Sequence, residues 1–146
     1  MIRKKGEFKM AIEVYVTFNG NCREAVEFYS EVFDAPMNKI LTFGEGMDPS
    51  DYQLTEEQKQ LVMHTELIIS ENRIMFSDAF PGHPVTVGNN ITLTILSNDK
   101  DEITTWFDRL KEGGTVEMEL QETFWSKHYG VVVDRFGIFW QFSYVG

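Results

Sequence analysis

The chain has 146 residues, of which 42 % are apolar and 14 % aromatic, so it can bury the core of one domain and is not an intrinsically disordered protein. Its net charge of −10 repels phosphates and anionic lipids, which argues against nucleic-acid or membrane partners. No apolar run reaches the roughly 18 residues of a transmembrane helix, and the basic start lacks the apolar stretch of a signal peptide, so we expect a cytoplasmic protein.

The first predicted elements are a strand and an amphipathic helix. Residues 12–18 form a β-branched and aromatic run, which is typical of a strand. Asn21 lies three residues before Glu24, the spacing of a capping box. Apolar residues then recur at helical spacing over 22–33, and Pro36 ends the helix. The helix begins with the chain's one cysteine, so an internal disulfide and a cysteine-rich metal site are both excluded.

The rest of the first half predicts a run of strands. These strand-like segments cover 37–44, 61–70 and 73–78. The pair Glu71 and Asn72 is interpreted as the tight turn between the last two. The acidic segment 46–60 interrupts the run as a surface excursion, where Thr55 is placed to cap a short helix.

The second half repeats this order of elements. Residues 91–96 alternate between apolar and polar, which predicts a half-buried strand. Asp99 stands three residues before Glu102 as a second candidate capping box, and an apolar helical stripe follows over 103–110. Three more strands are predicted over 115–120, 129–133 and 138–144.

Both halves therefore predict a β-α-β-β-β module, which indicates an α+β fold. We expect residues 1–10 to form a flexible N-terminal tail and residues 11–146 a single domain. Within that domain the modules and the linker between them are predicted over 12–78, 79–90 and 91–145.

Several local motifs match this layout to one known superfamily. They occupy 18–25, 28–33, 64–67, 75–78, 125–130 and the Asp-x-Phe-Gly-x-x-Trp run over 134–140. The chain from residue 11 onward resembles the vicinal-oxygen-chelate superfamily (glyoxalase, bleomycin-resistance and dioxygenase proteins), and within it the PhnB-like branch. The resemblance implies a glyoxalase-like fold, in which the paired modules form a cupped, incomplete barrel, with a homodimer as the usual assembly.

The enzymes of this superfamily bind a divalent metal in the cup through His, Gln or Glu ligands, and the metal polarises vicinal oxygens of the substrate. The resemblance maps one ligand position onto Gln141, four residues after Gly137. Strand alternation places Gln141 on the same face as Phe139, so both are expected to point into the cup.

The other family ligand positions carry poor ligands. Val14 stands where the enzymes carry His, and the second-module strand offers Thr92 or Thr94. The end of the first module offers residues 75–77, a Met-Phe-Ser run. A catalytic site needs about three protein ligands, so a divalent metal is an alternative for which the site looks incomplete.

His64 and Glu66 are the best further candidates for polar groups in the cup, because they alternate onto one face of a strand. They are suited to metal binding or to acid–base chemistry. The competing interpretation is a half-exposed pair that faces solvent or the dimer partner.

Aromatic side chains supply a second kind of candidate. Trp125 and Phe139 are candidates for a ring at the cup that stacks on a planar or cationic ligand, with core or dimer packing as the alternative. Tyr15 and Met75 are candidates for lining the cup and are equally explained by packing.

Three functional hypotheses follow. The favoured one is a small-molecule-binding protein without a complete metal site, similar to the bleomycin-resistance relatives. The alternative is a metal-dependent lyase, isomerase or dioxygenase that uses His64, Glu66 and Gln141. The third is a structural or interaction role for the dimer. The name demethylubiquinone methyltransferase is attached to this branch, but no Gly-rich S-adenosylmethionine loop follows a strand. The residues specify neither a ligand nor a reaction.

Overall fold

The computed structural model of the chain describes residues 10–146, so the predicted tail lies outside the described residues except for Met10. The chain divides into two compact units, the first ending at Val85 and the second beginning at Thr86. Within the described part of the chain, no helix has the length and apolar character needed to cross a membrane.

The first unit contains a four-stranded mixed sheet and one long helix. Its elements are β1 (Val14–Phe18), α1 (Cys22–Phe33), β2 (Leu41–Thr42), α2 (Phe43–Gly46), α3 (Glu56–Lys59), β3 (Val62–Ile69) and β4 (Asn72–Asp78). The strand order is β1-β4-β3-β2. Strand β1 is parallel to β4, and the other neighbours are antiparallel.

The second unit has the same topology. Its elements are β5 (Thr92–Ser97), α4 (Lys100–Leu110), β6 (Thr115–Gln121), β7 (Tyr129–Val133) and β8 (Phe139–Tyr144). The order β5-β8-β7-β6 again places the first strand parallel to the last. The predicted α+β fold of two β-α-β-β-β modules is confirmed.

The long helix of each unit packs on one face of its sheet. In the first unit the ring of Tyr29 on α1 stacks on Phe76 of β4, with ring centroids 5.8 Å apart. In the second unit Phe107 on α4 meets Phe142 of β8 edge-on at the same distance. These rings are almost fully buried and form the centre of each core. We call the opposite face of each sheet the helix-distal face.

The start of α1 differs from the predicted capping box. Asn21 makes no side-chain cap hydrogen bond, and its φ of −112° and ψ of 22° differ from the extended backbone usual at that position. Instead, the N–H groups of Gly20 and Cys22 donate to Oδ1 of Asp78 at 3.0 and 2.9 Å. A carboxylate from β4 therefore accepts the first N–H group of α1. The capping box predicted from Asn21 and Glu24 was wrong.

The predicted strand over 37–44 is also wrong in extent, because β2 covers only Leu41–Thr42. The reason is local: Thr42 Oγ1 accepts from Glu45 N at 3.2 Å, and the Glu45 carboxylate accepts from Thr42 N at 3.3 Å. This capping box turns the chain into α2. The short helix predicted after Thr55 is confirmed, with Gln58 completing its capping box.

Two other local predictions need small corrections. The turn between β3 and β4 is centred on Ser70 and Glu71, with φ of 50° and 64°, one residue earlier than predicted. Positive φ at both central residues matches the twist of a hairpin. At α4, Asp99 caps as predicted by accepting from Glu102 N at 3.1 Å, but Ser97 Oγ rather than a glutamate accepts from Asp99 N.

Candidate functional site

His64 and Glu66 lie on the helix-distal face of the first unit. The next residue of β3, Leu67, is fully buried. It pairs with Ile74, which belongs to the core beneath α1. Because successive residues of a strand point to opposite faces, the neighbouring Glu66, which pairs with Met75, points away from the helix. His64 is two residues earlier and shares that face.

The side chain of Tyr15 reaches His64 across this face. Tyr15 pairs with Met75 in the parallel register of β1 and β4. Its hydroxyl lies 3.2 Å from Nδ1 of His64, and the two ring centroids are 5.7 Å apart. The Tyr15 ring is 47 % exposed, so this hydrogen bond is open to a ligand or to water.

Glu66 belongs to a charged cluster with Arg73 and Glu13. The Arg73 guanidinium donates to both oxygens of Glu13, through Nε at 2.6 Å and Nη2 at 2.9 Å. Its Nη1 lies 3.5 Å from Oε2 of Glu66. The hydrogen bond and charge of Glu13, with a smaller contribution from Glu66, raise the pKa of Arg73. Two carboxylates thus surround one cation, and this part of the face attracts cations more than anions.

Gln141 and Phe139 occupy the helix-distal face of the second unit. The residue between them, Trp140, is 2 % exposed and belongs to the core, so strand alternation turns its two neighbours to the opposite face. Gln141 pairs with Thr94 of β5, and Oγ1 of Thr94 lies 3.4 Å from Oε1 of Gln141. The predicted shared face of Phe139 and Gln141 is confirmed, whereas their role in binding stays a prediction.

The two modules carry different polar groups at matching positions. Phe76 and Phe142 are the buried rings under the two long helices, so the residues just before them, Met75 and Gln141, are equivalent. Met75 has Tyr15 and Glu66 as cross-strand neighbours. Gln141 has a threonine and a valine instead. The titratable groups next to these two equivalent positions therefore lie in the first module.

Trp125 lies in the loop between β6 and β7 and is 53 % exposed, which excludes the core interpretation. Its ring meets Phe124 edge-on at 4.6 Å and Tyr129 at 5.2 Å. Ser126 anchors the loop, since its hydroxyl lies 2.9 Å from the carbonyl of Tyr144. The indole is thus held by packing and hydrogen bonds while one side stays open.

The donor set does not fit the divalent metal that the superfamily implies. Within residues 10–146, no group of three His, Cys, Asp or Glu side chains is placed to hold a metal ion. Val14, at the family His position, pairs with Ile74 on the side of the sheet that faces α1. Nδ1 of His64 and the carboxylate of Glu66 are engaged by Tyr15 and Arg73. We therefore derive no chemical step through a metal.

The sequence prediction missed the Glu13–Arg73 pair and the contact of Tyr15 with His64. The local sequence indicated only that Arg73 alternates onto the same face of its strand as Met75. Glu13 and Tyr15 are separated from their partners by 60 and 49 positions, so only strand pairing brings them together. The parallel register of β1 and β4 places Glu13 near Arg73, and Tyr15 reaches His64 only because β4 also pairs with β3.

Comparisons with known proteins identify relatives over nearly the whole chain. The family model described as 3-demethylubiquinone-9 3-methyltransferase matches residues 10–143. Protein YjdN of Escherichia coli (strain K12) is 32 % identical over 145 residues, covering 93 % of this chain and 96 % of that protein.

Two solved structures extend the match to the fold. Protein PA1353 from Pseudomonas aeruginosa has a TM-score of 0.78 and 32 % identity, over 92 % of this chain and 97 % of that one. A PhnB protein from Bacillus cereus, a putative 3-demethylubiquinone-9 3-methyltransferase, has a TM-score of 0.75 and 24 % identity, over 93 % and 100 % of the two chains.

Proposed function

The chain belongs to the 3-demethylubiquinone-9 3-methyltransferase family, the PhnB-like branch of the vicinal-oxygen-chelate superfamily, and we propose that it binds a small molecule without a complete metal site. The resemblance predicted from the sequence motifs is thereby confirmed. The proposed binding groups are His64, Glu66, Trp125, Phe139 and Gln141.

One observation carries this proposal: the Tyr15–His64 pair and the Glu13–Arg73–Glu66 cluster share one helix-distal face. Apolar side chains on the same face, such as those of Met75 and Ile68, lie among these polar groups. A few oriented polar groups among apolar ones are the usual composition of a small-molecule site. The excess of carboxylates, and the net charge of −10, favour a neutral or cationic ligand.

Binding is favoured over the methyl transfer that the family description names. A cofactor carboxylate or phosphate is commonly held by free N–H groups at a helix N-terminus after a strand. At α1, which follows β1, the N–H groups of Gly20 and Cys22 already donate to Asp78. At α4, which follows β5, two N–H groups donate to Asp99. The protein's own carboxylates therefore already accept N–H groups at the starts of the two long helices.

The assembly, location and domain organisation also belong to the proposal. We propose a homodimer, as the family resemblance implies, and a cytoplasmic location, as the sequence analysis predicts. Light scattering on the purified protein tests the mass. We further propose that residues 11–146 act as one domain with 79–90 as linker. The boundary between the compact units, at Val85 and Thr86, lies inside that linker. A single cooperative unfolding transition is expected.

The test of the binding function is a thermal-shift screen of neutral and cationic small molecules on the wild type, His64→Ala and Gln141→Ala. His83→Ala is the matched control, because His83 is an exposed loop residue in ring contact with Phe80. We expect at least one compound whose stabilisation is lost in His64→Ala or in Gln141→Ala and is kept in the control. If every stabilising compound acts equally on all four proteins, the proposed site is wrong.

Metal content is measured on the same samples by mass spectrometry after incubation with Zn²⁺, Mn²⁺, Fe²⁺ or Ni²⁺. We expect less than stoichiometric metal in the wild type. Near-stoichiometric metal that is lost in His64→Ala and Gln141→Ala would overturn the metal-free proposal and direct the work to lyase, isomerase and dioxygenase substrates.

A further inference from the structure

We infer that Tyr15 is a positioning residue that holds His64 with its proton on Nε2, so that His64 offers a hydrogen-bond donor to the ligand. The inference deepens the proposed function and rests on it for the role of His64 in binding. Its structural basis is the 3.2 Å contact between the Tyr15 hydroxyl and Nδ1 of His64.

The direction of this hydrogen bond follows from the chemistry of the two groups. A neutral imidazole has one N–H donor and one nitrogen acceptor, and the neighbour of one nitrogen determines the role of the other. Within residues 10–146, the Tyr15 hydroxyl has Nδ1 of His64 as its hydrogen-bond partner. A phenol is acidic and donates well to an imidazole nitrogen. Donation to Nδ1 leaves the proton of His64 on Nε2.

The surroundings of His64 support the same assignment. A histidine that binds a metal through Nε2 usually donates its Nδ1 proton to a carboxylate, a carbonyl or water. The carboxylates on this face are Glu66 and Glu13, and both are turned to Arg73. Because Arg73 binds both carboxylates, the partner of Nδ1 is the phenol of Tyr15. A metal at Nε2 would first have to displace this proton, which adds to the cost of binding at a donor set that is already incomplete within residues 10–146.

The ligand class follows from Nε2 of His64 and from Oε1 of Glu66, since Oε2 of Glu66 is the oxygen that lies near Arg73. Nε2–H of His64 donates to an oxygen acceptor such as a carbonyl. The Glu66 carboxylate, on the same face and 32 % exposed, accepts from a hydroxyl or amine. Together they suit a neutral or cationic organic molecule that carries a carbonyl oxygen and a neighbouring donor. A small anion is disfavoured, because the Arg73 guanidinium on this face is already shared by two carboxylates.

Long-range 1H–15N NMR of protein labelled on histidine tests the inference directly, at a pH of about 8.5, where an ordinary imidazole is neutral. The His64 signals are assigned by their loss in His64→Asn. In the wild type we expect one dominant species, with Nε2 protonated. In Tyr15→Phe we expect the fraction with Nδ1 protonated to rise several-fold, while the dispersed backbone spectrum shows that the variant is folded.

Thr104→Val is the matched control. Oγ1 of Thr104 lies 2.9 Å from Nε2 of His128 in the other unit, so this variant removes a hydroxyl from a different histidine. We expect the His128 signals to move and the His64 signals to stay. Dominant protonation of Nδ1 in the wild-type His64, or an unchanged tautomer ratio in Tyr15→Phe, would overturn the inference.

Zn²⁺ alone is the second probe. If Tyr15 holds the proton on Nε2 and no further ligands assist, equimolar Zn²⁺ is expected to leave the His64 signals of the wild type in place, and a selective shift of Nε2 would show that Tyr15 does not hold that proton. The outcome is independent of the binding screen. A failed screen with the expected tautomer overturns the proposed function, whereas ligand binding with the opposite tautomer overturns the assignment of Tyr15 alone.

Discussion

The carboxylate of Asp78 accepts the backbone N–H of Cys22 at 2.9 Å, although 56 positions separate the two residues. Its other oxygen accepts from Val62 N at the same distance. Asp78 is 3 % exposed and therefore joins the end of β4 to the starts of α1 and β3 inside the first core. Buried N–H groups depend on such partners because water cannot replace them.

Asp78→Ala is expected to destabilise the protein by at least about 2–3 kcal/mol, since it removes the acceptor of three backbone N–H groups, of which those of Cys22 and Val62 are buried. Asp78→Asn keeps one carbonyl acceptor and should lose less. Urea unfolding followed by circular dichroism measures the change. Asp51→Ala, at an exposed loop position, is the control and should change the free energy of unfolding by less than about 0.5 kcal/mol. Equal effects of the Asp78→Ala and Asp51→Ala variants would show that the carboxylate is dispensable.

Phe142→Ala should cost about 3–5 kcal/mol, because this fully buried ring packs edge-on against Phe107 beneath α4 and its loss leaves a cavity. Phe124→Ala removes the same atoms from a ring that is 97 % exposed and should change stability by less than about 0.5 kcal/mol. Chemical denaturation of both variants gives the comparison. A large loss for the Phe124 variant would instead indicate that this ring is covered in solution.

The thiol of Cys22 is expected to be unreactive in the folded protein. Burial, reinforced by the negative charge of Asp78, raises the pKa of Cys22 far above its usual range, so the nucleophilic thiolate is scarce at pH 8. A colorimetric thiol reagent should react slowly under native conditions and rapidly in denaturing urea. Rapid stoichiometric reaction of the native protein would contradict both the burial and the shift.

The capping box of α2 should weaken in acid. Hydrogen bonds from the Thr42 hydroxyl and backbone lower the pKa of Glu45, so its contribution is present above the usual glutamate pKa and is lost as pH falls through the lowered folded value. The amide signals of Thr42 and Glu45 in NMR spectra should shift together in that window. In Glu45→Gln, which keeps an acceptor but does not titrate, the Thr42 amide should stay constant.

Features that depend on neighbours in the chain were predictable. The alternation of Phe139, Trp140 and Gln141 follows from the period of a strand, and it correctly separated the core ring from the two helix-distal side chains. The helix cap at Thr55 was recognised because its partner, Gln58, is three residues away. Asn21 shows the limit of such rules, since it has a capping spacing and makes no cap.

The candidate site was predictable only in part, because some of its contacts join residues that are far apart in the chain. His64 and Glu66 were identified as strand neighbours on one face, which the period of β3 determines. Their partners Tyr15 and Arg73 lie on other strands. Which residues of β1, β3 and β4 stand side by side depends on strand order and register, and a shift of one residue would exchange the two faces.

By itself, the amino-acid sequence determined the two β-α-β-β-β modules and the core rings, because apolar periodicity and turn chemistry act over a few residues. It also determined membership of the family, through motifs that are continuous in the chain. The tertiary structure alone decided that Asp78 caps α1, that Arg73 lies between Glu13 and Glu66, and that Tyr15 meets His64. These contacts join strands far apart in sequence, and only the packing of each core sets the pairing that brings them within hydrogen-bond distance.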